Sequence, residues 1–219
     1  MPGFLKTCSE IGSTGDFGLL KLSEAIDSGM SHVTRNISPI ENRGSEMSVQ
    51  ESPMTEALRR WRIIPVIIIE DQKNAGPLAA ALLAGGLPIA EITLRTKSAL
   101  DSLRRIKDEQ PEMFAGAGTV LNVAQAKQAR EAGAEFVISP GFSRAVVDYC
   151  LEHEMPVYPG VATATEIEAA LESGLRLLKL WPIETLGGVP YLQLLAGPFG
   201  GVEFNPSGGV TATSLNLAM

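Results

Sequence analysis

Lys179 is the residue of this sequence with the most evident chemical potential. It stands in Leu175-Arg176-Leu177-Leu178-Lys179-Leu180-Trp181-Pro182, an apolar segment that ends in a proline turn. Side chains alternate across a strand, so Leu177 and Lys179 share one face and Leu178 and Leu180 the other. An ammonium on the inner face of a covered sheet loses hydration. That favours the neutral amine, which attacks a ketone to form an imine. The competing reading is a lysine held by a buried carboxylate, or one snorkelling from an outer face.

Glu91 is the second candidate. Along Ile89-Ala90-Glu91-Ile92-Thr93-Leu94-Arg95-Thr96, the residues Glu91, Thr93 and Arg95 alternate with Ala90, Ile92 and Leu94. A strand carrying that pattern suits a polar barrel mouth, with Glu91 as general acid/base and Arg95 as carboxylate clamp. From Glu91 to Arg95 a straight strand advances roughly 13 Å, so Arg95 must lie in or near the following loop and fold back. An ordinary surface edge strand would carry the same residues. Ser207-Gly208-Gly209, after the segment Gly201 to Phe204, offers backbone amides where late barrel strands hold phosphate, although the tripeptide is also a common turn. Gly116-Ala117-Gly118-Thr119 reads as a tight turn with a hydroxyl at a strand end. Cys150 and His153 read as packing and surface residues.

These residues need a scaffold to meet. Apolar segments at 63–69, 88–94, 113–117, 136–138, 155–157, 175–180 and 201–204 alternate with helical stretches. Those stretches are 53–61, 74–85, 98–109, 123–132, 143–152, 163–173 and 189–196. Gly86, Gly133 and Gly174 stand where helix C-caps belong. Short apolar strands alternating with helices predict a parallel sheet covered on both faces. Seven units over residues 53–219 average about 24 residues each. That spacing predicts a (β/α)₈ TIM-type barrel rather than an open doubly wound sheet, and no GxGxxG follows the first strand. Residues 1–52 are rich in Ser, Gly, Asn and Glu without apolar period. They read as a flexible N-terminal extension, with a short helix conceivable over 17–26.

Bulk composition excludes several function classes. The 219 residues carry a net charge of -7, which argues against a nucleic-acid partner. Two cysteines, Cys8 and Cys150, and two histidines, His32 and His153, leave little material for a zinc cluster or a Ser-His-Asp triad. Neither a secretory signal nor a membrane-spanning apolar run is legible. The expectation is a cytoplasmic protein with no metal, no other cofactor and no membrane or nucleic-acid partner.

Taken together, the segments resemble the 2-keto-3-deoxy-6-phosphogluconate (KDPG) and 2-keto-4-hydroxyglutarate (KHG) aldolase family. The matching stretches are Glu91 to Thr96, Gly116 to Asn122, Phe136 to Gly141, Pro159 to Glu166, Leu178 to Glu184, and Gly197-Pro198-Phe199 leading to Pro206 to Gly209. The resemblance implies that Lys179 is the Schiff-base lysine and that Glu91 moves protons through a water. It implies that Arg95 and Thr119 bind the pyruvate-side carboxylate, that Pro140 lines the same pocket, and that Ser207, Gly208 and Gly209 form part of a phosphate site. Ser207 stands where Thr is more usual and Trp181 where Phe is common; the latter change is expected to matter little. The implied reaction releases pyruvate from a 2-keto-3-deoxy sugar acid phosphate, without a cofactor, in a homotrimer.

The resemblance also implies one further helix and an eighth strand after Gly209, where this chain has ten residues. A barrel truncated before its eighth strand is therefore expected, with exposed edges on its first and seventh strands. Such a chain could be an active aldolase, or an impaired relative that acts only in assembly with a full-length subunit. A third reading, a thiamine phosphate synthase relative, needs a diphosphate and magnesium site for which Asp residues at strand ends are scarce.

Overall fold

The structure, a computed structural model, describes residues 53–211. The expectations for residues 1–52 and for a missing final unit fall outside them, as do Cys8 and His32. Helix α1 (Pro53–Trp61) leads into β1 (Val66–Ile67) and a short 3₁₀ turn (Gln72–Asn74). There follow α2 (Ala75–Ala84), β2 (Ile89–Thr93), α3 (Ala99–Glu109), β3 (Phe114–Gly118), α4 (Val123–Glu131) and β4 (Val137–Ile138). The chain continues through α5 (Arg144–Glu152), β5 (Val157–Tyr158), β6 (Gly160–Val161), α6 (Ala164–Glu172) and β7 (Leu177–Leu180). It closes with α7 (Ile183–Leu186), α8 (Gly188–Ala196) and β8 (Glu203–Pro206).

Every strand pairs in parallel with its neighbour, in the orders β1-β2-β3-β4-β5 and β6-β7-β8. The two rows are one sheet, because β5 and β6 are halves of a single strand interrupted at Pro159. Ser139 N donates to Tyr158 O, Gly160 N to Ser139 O, and Lys179 N to Pro159 O, so the ladder runs through the break. This makes seven strand positions, the number the sequence pattern predicts, in a TIM-like α/β arrangement. Among the described residues β1 and β8 do not pair with each other.

Alternation sorts the core into two layers. Ala90, Ile92, Ala115, Ala117, Val137 and Val157 pack outward against the helices, mostly onto small residues such as Ala79, Ala126 and Ala129. Ile89, Phe136, Ile138 and Tyr158 turn inward instead and meet Ala57 of α1, with Trp61 and Leu177 beside them. The inner face is thus apolar at the end where strands enter. The first strand departs from expectation: Ile63, Val66 and Ile68 are about half exposed, and only Ile69 of the apolar run is buried. Among the described residues β1 has a partner along one side only.

Helix ends repeat one device. After α2, Gly86 N donates to Leu83 O and Leu87 N to Leu82 O; the same pair of bonds recurs at Gly133-Ala134 and Gly174-Leu175. The glycines carry φ of 75, 86 and 80 degrees, as a Schellman motif requires. After α5 the pattern is identical, but Glu154 occupies the left-handed position with φ 54. Left-handed backbone costs an L-residue with a β-carbon about 1 kcal/mol. Replacing Glu154 by Gly is therefore expected to raise stability by about 1 kcal/mol in urea unfolding. Gly174→Ala is expected to cost a similar amount, since an added β-carbon there meets nothing within 4 Å and only backbone conformation changes.

Candidate active site

Lys179 and Glu91 meet inside the sheet. Lys179 Nζ lies 3.2 Å from both Glu91 carboxylate oxygens, with side chains 11% and 2% exposed. Strand β2 and strand β7 are four inter-strand steps apart through β3, β4 and the β5/β6 strand, which is roughly 19 Å if the sheet were flat. Neither side chain could span that gap, so the sheet must curl until the inner faces of β2 and β7 oppose each other. Of the readings of Lys179 left open by the sequence, the structure shows a lysine held by a buried carboxylate and overturns the snorkelling one; the carboxylate is the other candidate residue. The surface edge strand is overturned: β2 runs between β1 and β3, and all five of its residues are buried.

Burial pushes the Glu91 carboxyl above its ordinary value, and the charge and hydrogen bonds of Lys179 pull only partly against that. The pair therefore places a carboxyl group that burial favours in its neutral form within reach of an amine. Two glycines make room for it. A β-carbon on Gly118 would lie 2.1 Å from Glu91 Oε1, and one on Gly116 would lie 2.2 Å from the Phe136 ring. Both belong to β3, so the tight turn expected over 116–119 is corrected. The strand runs through Gly118 and the turn begins at Thr119, whose φ is 57. A β-branched residue rarely adopts that conformation, which costs about 1–3 kcal/mol and is typically stored at functional sites.

The other predicted residues sit on the loops that follow the strands. Arg95 is exposed one residue beyond Leu94, after the end of β2; its amide donates to Thr93 O, and its guanidinium makes no hydrogen bond or ion pair among the described residues. Its loop is tethered to β1: Thr93 Oγ1 donates to Ile67 O, and the Thr96 and Ser98 hydroxyls both donate to Ile69 O. Pro140 is partly buried, and its carbonyl leaves no space for a side chain on Gly160, where a β-carbon would lie 2.1 Å away. The loop after β8 differs from expectation in one respect. The Ser207 amide is spent on Leu180 O, while Ser207 O and Gly208 O accept from Ile183 N and Glu184 N at the start of α7. That leaves Gly208 and Gly209, with φ of 90 and 85, as the amides open to an anion.

Some motif residues turn out to be structural. Asn122 caps α4 by accepting from Gln125 N, and Glu166 completes a capping box with Thr163 on α6. Cys150 is buried among α5 packing residues, with its thiol pushed up to about 12, and His153 stacks on Tyr149. Among the described residues no group of three or more His, Cys, Asp or Glu is placed to hold a metal ion, and no helix is long and apolar enough to cross a membrane.

The family model described as KDPG and KHG aldolase matches residues 54–217. The chain belongs to that family. Among curated relatives it is 48% identical over 160 residues to the 2-dehydro-3-deoxy-phosphogluconate aldolase of Treponema pallidum, covering 73% of this chain and 76% of that one. It is 44% identical over 149 residues to the KHG/KDPG aldolase of Escherichia coli K12, covering 68% and 70%. Among solved structures, the KDPG aldolase of Zymomonas mobilis with 3-phosphoglycerate superposes with a TM-score of 0.73 at 40% identity, over 76% and 79% of the two chains. The KDPG aldolase of Legionella pneumophila, captured with pyruvate as a covalent carbinolamine, gives 0.73 at 35% identity over 76% and 81%. The chain is thus an aldolase of the lyase class, with the family's TIM-like fold.

Gly118→Ala tests how closely the site depends on the space beside Glu91. The new methyl is expected to displace the carboxylate from Lys179 and lower aldol cleavage by about 100-fold. Circular dichroism should remain that of the folded protein.

Proposed function

We propose that this chain is a class I aldolase in which Lys179 forms the Schiff base. It cleaves 2-keto-3-deoxy-6-phosphogluconate to pyruvate and glyceraldehyde 3-phosphate, or 2-keto-4-hydroxyglutarate to pyruvate and glyoxylate. The observation that carries the reading is the buried contact between Lys179 and Glu91 on opposed strands, an amine and a base inside the sheet. The Legionella pneumophila relative, captured as a carbinolamine with pyruvate, supports the same chemistry by likeness.

In this mechanism Glu91 takes the proton that Lys179 must lose, and the free amine adds to the C2 ketone. Glu91 returns that proton to the carbinolamine hydroxyl, which leaves as water, and the resulting iminium draws electrons from the C3–C4 bond. Glu91, through a water, removes the C4 hydroxyl proton; the bond breaks, the aldehyde leaves, and the bonding pair remains as an enamine. Protonation at C3 and hydrolysis of the imine release pyruvate and restore Lys179. Arg95 and Thr119 orient the pyruvate-side carboxylate, with Pro140 walling the pocket, and the guanidinium adds positive charge near the amine. Ser207 through its hydroxyl, with Gly208 and Gly209 through their amides, receives the distal phosphate. No step in this reading calls on a metal or other cofactor. The domain responsible begins near residue 53, and the reading includes a cytoplasmic homotrimer, as the family resemblance implies.

Borohydride reduction in the presence of pyruvate, followed by peptide mapping, is expected to leave one reduced adduct on Lys179. Cleavage should be lost in Lys179→Ala; full activity in that variant would sink the proposal. The pH profile provides a separate check. Because burial holds Glu91 above the usual carboxylate range and the base must be ionised, cleavage should fall as pH drops through that raised value. Glu91→Gln should lower the rate and remove this acid limb.

A further inference from the structure

Trp181 follows β7 directly, two residues beyond Lys179, with its amide bound to Val161 O and the residue 41% exposed. Alternation carries it toward the same side as Lys179, at the mouth of the curled sheet. Its indole borders the β8 loop: a β-carbon on Gly208 would lie 2.9 Å from Cδ1 and 3.0 Å from Nε1. The nitrogen-bearing part of the ring is therefore the part nearest Gly208. Among the described residues the indole N–H, the Ser207 hydroxyl and the amides of Gly208 and Gly209 make no hydrogen bond. Three donors on residues 207–209, around two consecutive left-handed glycines, and a fourth from Trp181 beside them offer an anion several N–H and O–H groups at one place.

From these contacts we infer that Trp181 is a specificity-determining residue that selects phosphorylated substrates, its indole N–H donating to the terminal phosphate. The inference rests on the aldolase reading above and adds a side chain whose aromatic character alone had suggested little consequence. Phenylalanine at this position would keep the ring and remove the donor. Register places Asn205 opposite Lys179, so Gly208 lies three residues further on, in the loop beyond the end of β8. Glu184 is the acidic group beside this loop. Its stem covers Gly209, while Oε2 lies 3.5 Å from where a Gly188 β-carbon would stand. Its charge is thus directed toward α8, and the indole side is left to the anion.

Steady-state kinetics of Trp181→Phe with both substrates test the inference, with pyruvate trapping run in parallel. KM for the phosphorylated substrate is expected to rise about tenfold, the scale of one hydrogen bond to a charged group, while KM for hydroxyglutarate changes less than about twofold. Competitive inhibition by inorganic phosphate should weaken by the same factor. Pyruvate has no distal group, so trapping on Lys179 should persist in the variant. Trapping that persists while KM is unchanged, or shifts equally for both substrates, would overturn the role of Trp181 alone. Failure to trap in the unmodified protein would overturn the aldolase reading and this inference with it.

Discussion

Holding a carboxylate and an ammonium away from water is costly, and the Glu91–Lys179 contact makes the sheet around it subordinate to that cost. Removing one partner of such a pair typically destabilises by about 3–5 kcal/mol, because the other charge is left buried alone. The two side chains can reach each other only if β2 and β7 face inward across a curled sheet. Curling in turn crowds the inner face, which is relieved by Gly116 beneath the Phe136 ring and Gly118 beside Glu91. The lower inner layer of Ile89, Phe136, Ile138 and Tyr158, closed by α1, keeps water from reaching the pair from below. Structural stability and chemical capacity therefore draw on the same arrangement.

The loops above the pair are held by bonds that spare the groups facing substrate. Thr96 and Ser98 fasten the Arg95 loop to Ile69 O, leaving the guanidinium unengaged among the described residues. Tyr191 donates to Ala162 O, joining α8 to the turn that precedes α6. Carbonyls of Ser207 and Gly208 satisfy two of the orphan amides of α7, so the anion loop and that helix brace each other. A site built this way is positioned by backbone and hydroxyl contacts, while its cationic and amide donors stay open.

Much of this was legible from residue types. Alternation gave the correct faces for Glu91 and Lys179, and glycines 86, 133 and 174 marked the helix ends because only a residue without a β-carbon adopts that backbone freely. The contact between Glu91 and Lys179 was not legible, since it depends on how far the sheet curls across 88 residues. The same applies to Gly116 and Gly118, whose obstacles come from Phe136 and from Glu91, and to the Ser207 amide, whose partner lies on a neighbouring strand. The short helix α7 was missed because four residues show no period. Glu154 was missed because a charged residue in a left-handed cap resembles any other surface glutamate. The exposure of Ile63, Val66 and Ile68 contradicted their apolar character, which reports a strand but not how many neighbours it has.

Each strand of this sheet lies beside its immediate predecessor in the chain, so pairing can advance from β1 onward as the polypeptide emerges during synthesis. The contact between Glu91 and Lys179 cannot advance with it, because closing a span of 88 residues requires the intervening strands to be in place. Imine chemistry is therefore a late property of the growing chain. A nascent or stalled chain that ends before β7 carries paired strands and packed helices but no reactive amine. The reactivity of Lys179 toward pyruvate thus doubles as a report that the sheet has completed its curl.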